Sequence, residues 1–204
     1  MKTLIIARHG NTFRPGETPT RVGAGTDLPL VEEERARGIG KYLKKQGYMP
    51  TKIYAAPLKR TMETAELAAQ ELGFSGSIER LNDLTEIDYG PDENKTEDAV
   101  IARIGQEAID LWNAKAIVPP GWKVDPEKLA KVWCDFAESI GENETVMAVS
   151  SNGVIRFAPY ITGDYDAFCA EHDIKVATGG VCVFVYENGV WTAKEWNVKA
   201  FKFV

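Results

Sequence analysis

The sequence predicts an α/β fold: three αβα layers, with a mostly parallel sheet, an antiparallel edge and helices on both faces. Three observations predict it. Strand-like and helix-like segments alternate along the 204 residues. Two strand-like segments, "TLIIA" (3–7) and "TVMAV" (145–149), are continuous apolar runs, as expected of strands covered on both faces. Near its end the chain carries "VCVFVY-ENG-VWTAKEW" (181–196), two strand-like runs around an Asn-Gly turn, which reads as an antiparallel hairpin.

The elements between them follow from spacing. After "TLIIA", residues 31–46 place Ala36, Ile39 and Leu43 at helical intervals, and "KIYA" (52–55) is a short second strand. In "PLKRTMETAELAAQEL" (57–72), Leu58, Met62, Ala65, Ala69 and Leu72 form one stripe, with Pro57 suited to the first helical turn. Over 96–112, Val100, Ile104, Ala108 and Leu111 repeat the pattern behind the acidic start "TED". "DPEKLAKVWCDFAESIG" (125–141) carries start and stop signals at its ends, with Leu129, Trp133, Phe136 and Ile140 as its buried face. A short helical pattern at 153–162 follows "TVMAV" and "SSNG".

The length suits one sizeable core over 1–204 that needs no disulfide or metal staple. A net charge of −6 argues against a nucleic-acid or polybasic membrane partner but leaves room for a locally basic pocket. The cysteines are Cys134, Cys169 and Cys182, with no C-x-x-C spacing; Cys134 and Cys182 sit in apolar runs as small core residues. The apolar run in "MKTLIIARHG" is too short for a signal peptide and meets a charge at once, and no stretch is long enough to span a bilayer. These features predict a cytoplasmic protein, monomer or homodimer, with no membrane partner.

In doubly wound folds ligands bind beyond the carboxyl ends of the strands. Two segments lie there, "RHGNT" after the first strand and "SSNGVIR" after "TVMAV". A neutral imidazole at His9 is a good nucleophile toward phosphorus if one ring nitrogen is free and the other donates to an acceptor. Arg8 beside it offers charge-assisted hydrogen bonds to phosphoryl oxygens. Arg60 falls in the first turn of its helix, where anions bind. Glu86, between Leu84 and Ile87, is a carboxyl that partial burial would tune towards a general acid. Each of these residues alone also reads as an ordinary surface group.

Together "ARHGNT", "LKRTMETA", "LTEIDYG" and "VSSNGVIR" resemble the histidine phosphatase superfamily in its phosphoglycerate-mutase-like branch. That family's pattern is R-H-G at the end of the first strand, then R-T-x-x-T-A, L-x-E-x-x-x-G and S-H-G-G-x-x-R, in this order. "RVGAGTDLPLVEEE" (21–34) resembles the family's segment before the first helix. The resemblance implies roles: His9 as the nucleophile that becomes phosphohistidine, Arg8 and Arg60 as the phosphate clamp, and Glu86 as acid and then base. Asn11 falls where some members contact the phosphoryl group. No metal or other cofactor is implied, because the arginines neutralise the charge.

The fourth motif departs from the family. Laid on V-S-H-G-G-V-I-R, the chain has Ser151 at the second histidine, which in the family donates to the phosphoryl oxygens, and Asn152 at the next glycine. The remaining histidine, His172, sits in the polar stretch "CAEHDIK", expected to face solvent. Losing one preorganised donor typically costs about 10²–10³ in rate. Ser151, the Asn152 amide or a bridging water could each fill the role. A milder departure is Ala55-Ala56, where relatives often have Ser. Arg14 and Arg21 either bind a second anionic group or stay solvated. The segment 91–125 reads as a substrate lid, with Tyr89, Trp112 and Trp122 either lining it or packing the core. The resulting expectation is a phosphomonoesterase for a small phosphorylated substrate. The alternatives are a weakened member that binds a phosphorylated ligand or protein partner, and a phosphoglycerate-type mutase.

Overall fold

The computed structural model describes residues 1–203. The strands are β1 (Lys2–Arg8), β2 (Lys52–Ala55), β3 (Ile78–Arg80), β4 (Thr145–Ser150), β5 (Gly180–Glu187) and β6 (Val190–Lys199). They form one sheet in the order β3-β2-β4-β1-β5-β6. The first four in that order are parallel, whereas β5 runs antiparallel to β1 and β6 antiparallel to β5. The mixed sheet and its hairpin edge are those the apolar runs predict.

Successive residues of a strand point to opposite faces, and each face is covered. Ile5, Ala7, Met147 and Val149 pack under α1 (Glu34–Gln46) and α2 (Lys59–Leu72). Leu4, Ile6, Val146 and Ala148 pack on the other side. That layer holds α3 (Glu97–Ile104), α4 (Gln106–Lys115), α5 (Pro126–Glu138), the single turn α6 (Asn152–Ile155) and α7 (Tyr165–Glu171). Fully buried Trp133 on α5 donates its indole N–H to the Val154 carbonyl at 2.9 Å, which ties α6 to the core. Among the described residues no helix is long and apolar enough to cross a membrane.

Four details differ from the sequence-based expectation. The single helix expected over 96–112 is two, because Gly105 adopts φ 85°, ψ 155°, outside the helical region. The break re-aims α4, so that Ile109 and Trp112 are buried and Leu111 is 37% exposed. Pro57 stands ahead of the cap residue Leu58 rather than inside the first turn. The three-residue β3, with Glu79 and Arg80 exposed, carries no apolar pattern. Lastly, α7 follows the expected 153–162 segment and starts with Asp164 accepting from the Ala167 N–H at 3.0 Å.

Candidate active site

Arg8 on β1 is in register with Ser150 on β4, and the His9 N–H donates to the Ser150 carbonyl at 3.2 Å. Arg8-His9 and Ser150-Ser151 therefore leave the sheet side by side at its carboxyl edge. A cavity of about 760 Å³ opens there, with Arg8, His9, Asn11, Glu86, Asn152 and Arg156 on its walls.

His9 is 6% exposed, and its Nδ1 lies 2.7 Å from the Gly10 carbonyl oxygen. A carbonyl only accepts, so Nδ1 carries the proton and Nε2 holds a lone pair. Nε2 has no hydrogen-bond partner among the described residues. Burial first, and then the charges of Arg8 and Arg60, hold the imidazole well below its ordinary pKa. The ring is therefore neutral at neutral pH.

The two arginines are gripped from behind. Arg8 donates through one terminal nitrogen to the Val176 carbonyl at 2.5 Å. Arg60 is fully buried and donates to the carbonyls of Thr26 at 2.7 Å and of Val22 and Gly23 at 3.3 Å. The Nε atoms of both are buried without a partner among the described residues. Arg60 has no surface on the cavity, yet its charge acts on both His9 and Glu86. Burial lowers the pKa of both guanidinium groups.

Glu86 lines the cavity and is 5% exposed. It accepts from the Ile87 N–H at 2.9 Å and the Gly153 N–H at 3.4 Å. Burial nonetheless raises its pKa, outweighing those two bonds and the charges of Arg60 and Arg8. Gly153 is needed at this contact. A Cβ there would stand 2.4 Å from Glu86 Oε1 and 2.8 Å from Ile87 Cγ1. Gly153→Ala is therefore expected to cost about 1–3 kcal/mol through overpacking and to displace Glu86. Denaturant unfolding and a steady-state assay on the same variant check both effects.

Both asparagines are held by the loop segment 176–178, just ahead of β5. Asn152 Oδ1 accepts from the Val176 N–H at 2.9 Å. Asn11 Oδ1 accepts from Thr178 Oγ1 at 2.6 Å, and that hydroxyl accepts from Arg35 at 3.0 Å. Ser151 is fully buried, and its Oγ has no partner among the described residues. Arg14 is exposed at the cavity mouth. Arg21, also on the cavity wall, pairs with Glu97 at 2.6 Å and lies over the rings of Trp122 and Tyr89 at 5.1 and 5.6 Å. His172 stacks on Phe168 with ring centroids 4.2 Å apart, half-buried and away from the cavity. Of the aromatic residues considered for the lid, Tyr89 lines the cavity, whereas Trp112 and Trp122 pack in the core.

Arg156 also lies on the cavity wall, beyond the residues that the sequence marks as candidates. It is 1% exposed, donates to the carbonyls of Trp112 at 2.8 Å and Asn152 at 3.3 Å, and lies 4.0 Å over the Trp112 ring. Burial brings its pKa down to about 10. The signal was its place as the last residue of "SSNGVIR", four positions after Asn152 and so on the same side of a helical turn.

The family model described as histidine phosphatase superfamily (branch 1) matches residues 4–199. A 2,3-bisphosphoglycerate-dependent phosphoglycerate mutase from Thermobifida fusca is 31% identical over 121 residues, 59% of this chain and 49% of that protein. The matched region thus spans about half the length of that relative. Among solved structures, phosphoglycerate mutase from Bacillus anthracis superposes with a TM-score of 0.78 at 20% identity, covering 98% of this chain and 94% of that one. A mutant phosphoserine phosphatase from Entamoeba histolytica, in complex with phosphoserine, gives 0.74 at 19% identity, covering 98% and 99%. At these identities the two structures bear on the fold.

Proposed function

The chain belongs to the histidine phosphatase superfamily, branch 1, and from that premise we propose that it hydrolyses small phosphomonoesters through a phosphohistidine at His9. The observation that carries this reading is the His9 ring: Nδ1–H is spent on the Gly10 carbonyl, leaving a neutral Nε2 at a cavity wall that Arg8 shares, within reach of the charge of buried Arg60.

In the first step His9 Nε2 attacks phosphorus and the P–O ester bond breaks. Protonated Glu86 gives its proton to the leaving oxygen, which departs as an alcohol. The cationic phosphoimidazole is stabilised by the Nδ1–H···O=C bond to Gly10. In the second step water attacks phosphorus, Glu86 takes its proton, the P–N bond breaks and orthophosphate leaves. Arg8 and Arg60 supply fixed positive charge to the transferring group, and positioning plus charge stabilisation is most of what phosphoryl transfer requires. Asn11 donates to the same group. Arg14, Arg21 and Arg156 sit further along the walls and suit a substrate with a second anionic group. The segment 91–125 acts as the lid: Thr96, Glu97 and Asp98 at its helix start flank the cavity. Its base is clasped by Asp92, which accepts from Arg103 at 2.7 Å and Trp122 at 2.7 Å.

The curated relative favours a second reading, a phosphoglycerate-type mutase. One experiment tests both. The protein is incubated with a panel of phosphate esters, and an acid-labile phosphoryl adduct is sought by intact mass alongside released orthophosphate. The phosphatase reading expects an adduct with net phosphate release. Exchange of phosphoryl between hydroxyls of one substrate without release would point to the mutase. Neither adduct nor phosphate across the panel would leave a ligand-binding member without turnover.

A further inference from the structure

We infer that Asn152, through its side-chain N–H₂, supplies the phosphoryl-oxygen donor that the second histidine supplies in the family pattern, and that Ser151, which stands at the histidine's position, does not. The inference rests on the phosphohydrolase reading above and names the residue that repairs its broken motif.

Four observations converge on Asn152. It lies on the cavity wall and is 9% exposed. Its Oδ1 accepts from a backbone N–H, that of Val176, at 2.9 Å. A backbone N–H cannot accept, so this bond fixes which end of the amide is oxygen. The Nδ2 donor, which has no partner among the described residues, is left for the cavity. Its own backbone is anchored too, since Arg156 Nε donates to the Asn152 carbonyl at 3.3 Å.

The same Val176 ties this donor to the nucleophile's neighbour. Its N–H holds Asn152 and its carbonyl holds Arg8. One residue of the chain thus aligns a neutral and a charged donor. Preorganisation of this kind is what lets a donor stabilise developing charge without reorganising during the reaction.

Ser151 has neither property. Its side chain is fully buried, lies off the cavity wall and makes no hydrogen bond among the described residues. A hydroxyl is also shorter than an imidazole, so it does not extend to where the ring would reach. The change from histidine-glycine to serine-asparagine reads as a shift of the donor by one position along the chain. An amide carries no titratable proton, so the shifted donor stays neutral and competent across the working pH range.

Asn152→Asp keeps an oxygen for the Val176 N–H and removes the donor, and is expected to melt near the wild type. Asn152→Ala removes both and melts lower. Both variants, with Ser151→Ala for comparison, are assayed for kcat/KM on an aryl phosphate and for orthovanadate inhibition. The expected result is a loss of about 10²–10³ in kcat/KM for Asn152→Asp, at least tenfold greater than that for Ser151→Ala. Vanadate inhibition should weaken in parallel, in Asn152→Ala as well as in Asn152→Asp. A Ser151→Ala loss equal to or above that of Asn152→Asp would overturn the assignment, as would an Asn152→Asp enzyme with wild-type rate and vanadate affinity. If the wild type shows no turnover, the phosphatase reading fails separately. Orthophosphate binding by calorimetry then decides the donor: weaker binding in the uncharged Asn152→Ala as well as in Asn152→Asp supports it, and wild-type binding in Asn152→Ala removes it.

Discussion

Alanine at His9 is expected to lower kcat by about 10⁴–10⁶-fold and to abolish the acid-labile phosphoryl adduct, because the group that bonds to phosphorus is gone and the steps it divides cannot be reached separately. The variant should still fold. His9 is buried, but its one hydrogen bond is to the Gly10 carbonyl, and leaving that acceptor unpaired costs about 1–3 kcal/mol. Phosphate and vanadate should still bind, since Arg8 is held by Val176 and Arg60 by the carbonyls of 22–26, independently of the imidazole. A second readout follows from linkage. The folded-state pKa of His9 is depressed, so the folded protein binds fewer protons than the unfolded chain once pH falls below the unfolded value of about 6.5. The stability tied to the neutral ring is in place above that value and is lost as pH falls from there towards the folded pKa. The His9→Ala variant lacks this term and should show a flatter decline of stability on acidification. An adduct that persists in His9→Ala, or an acid decline identical to that of the wild type, would remove His9 from the role given to it.

The frame of the fold was legible wherever burial leaves a periodic trace. "TLIIA" and "TVMAV" are apolar throughout because both sheet faces are covered, and their ends mark the site. Legibility failed where tertiary contacts decide. The edge strand β3 is half polar because one side of it meets solvent. The break at Gly105 is a backbone choice inside a sequence with acceptable helical spacing. At the site, residue types were readable and their orientations were not. Arg60 looked like a group facing its ligand from a helix start, yet three carbonyls of a distant loop hold its terminal nitrogens. Ser151 and Asn152 were equivalent as donors on paper. What separates them is Val176, a residue twenty-four positions on that no motif includes. Arg156 stands in the motif, but an arginine after apolar residues gives no sign that its helix turn faces a cavity.

Glu86→Gln is expected to reduce turnover of alkyl phosphates by about 10²–10⁴-fold, the usual contribution of general acid–base catalysis, and the pattern of that loss is more diagnostic than its size. Gln can still accept the Ile87 N–H, but its second terminus becomes a donor that faces the Gly153 N–H. The side chain keeps its size and its Ile87 contact and loses its titratable proton. The first step needs His9 neutral and Glu86 protonated. Burial moves the His9 pKa down and the Glu86 pKa up, so it favours both forms the first step needs. Activity should rise with pH along a limb well under 6.5 and fall once Glu86 loses its proton. The Gln variant cannot deprotonate, so it should lose that upper limb while keeping the lower one. Leaving-group ability separates the two steps. An aryl phosphate expels a good leaving group that needs little protonation, so His9 should still be phosphorylated in Glu86→Gln. Hydrolysis of the adduct needs the carboxylate to take a proton from water, which Gln cannot do. With an aryl phosphate the adduct should therefore accumulate beyond its wild-type level, with a rapid burst of released phenol before slow turnover. Equal losses for alkyl and aryl esters without adduct build-up, or an alkaline limb that survives the substitution, would mean that another group handles the protons and that the raised pKa of Glu86 only records its burial.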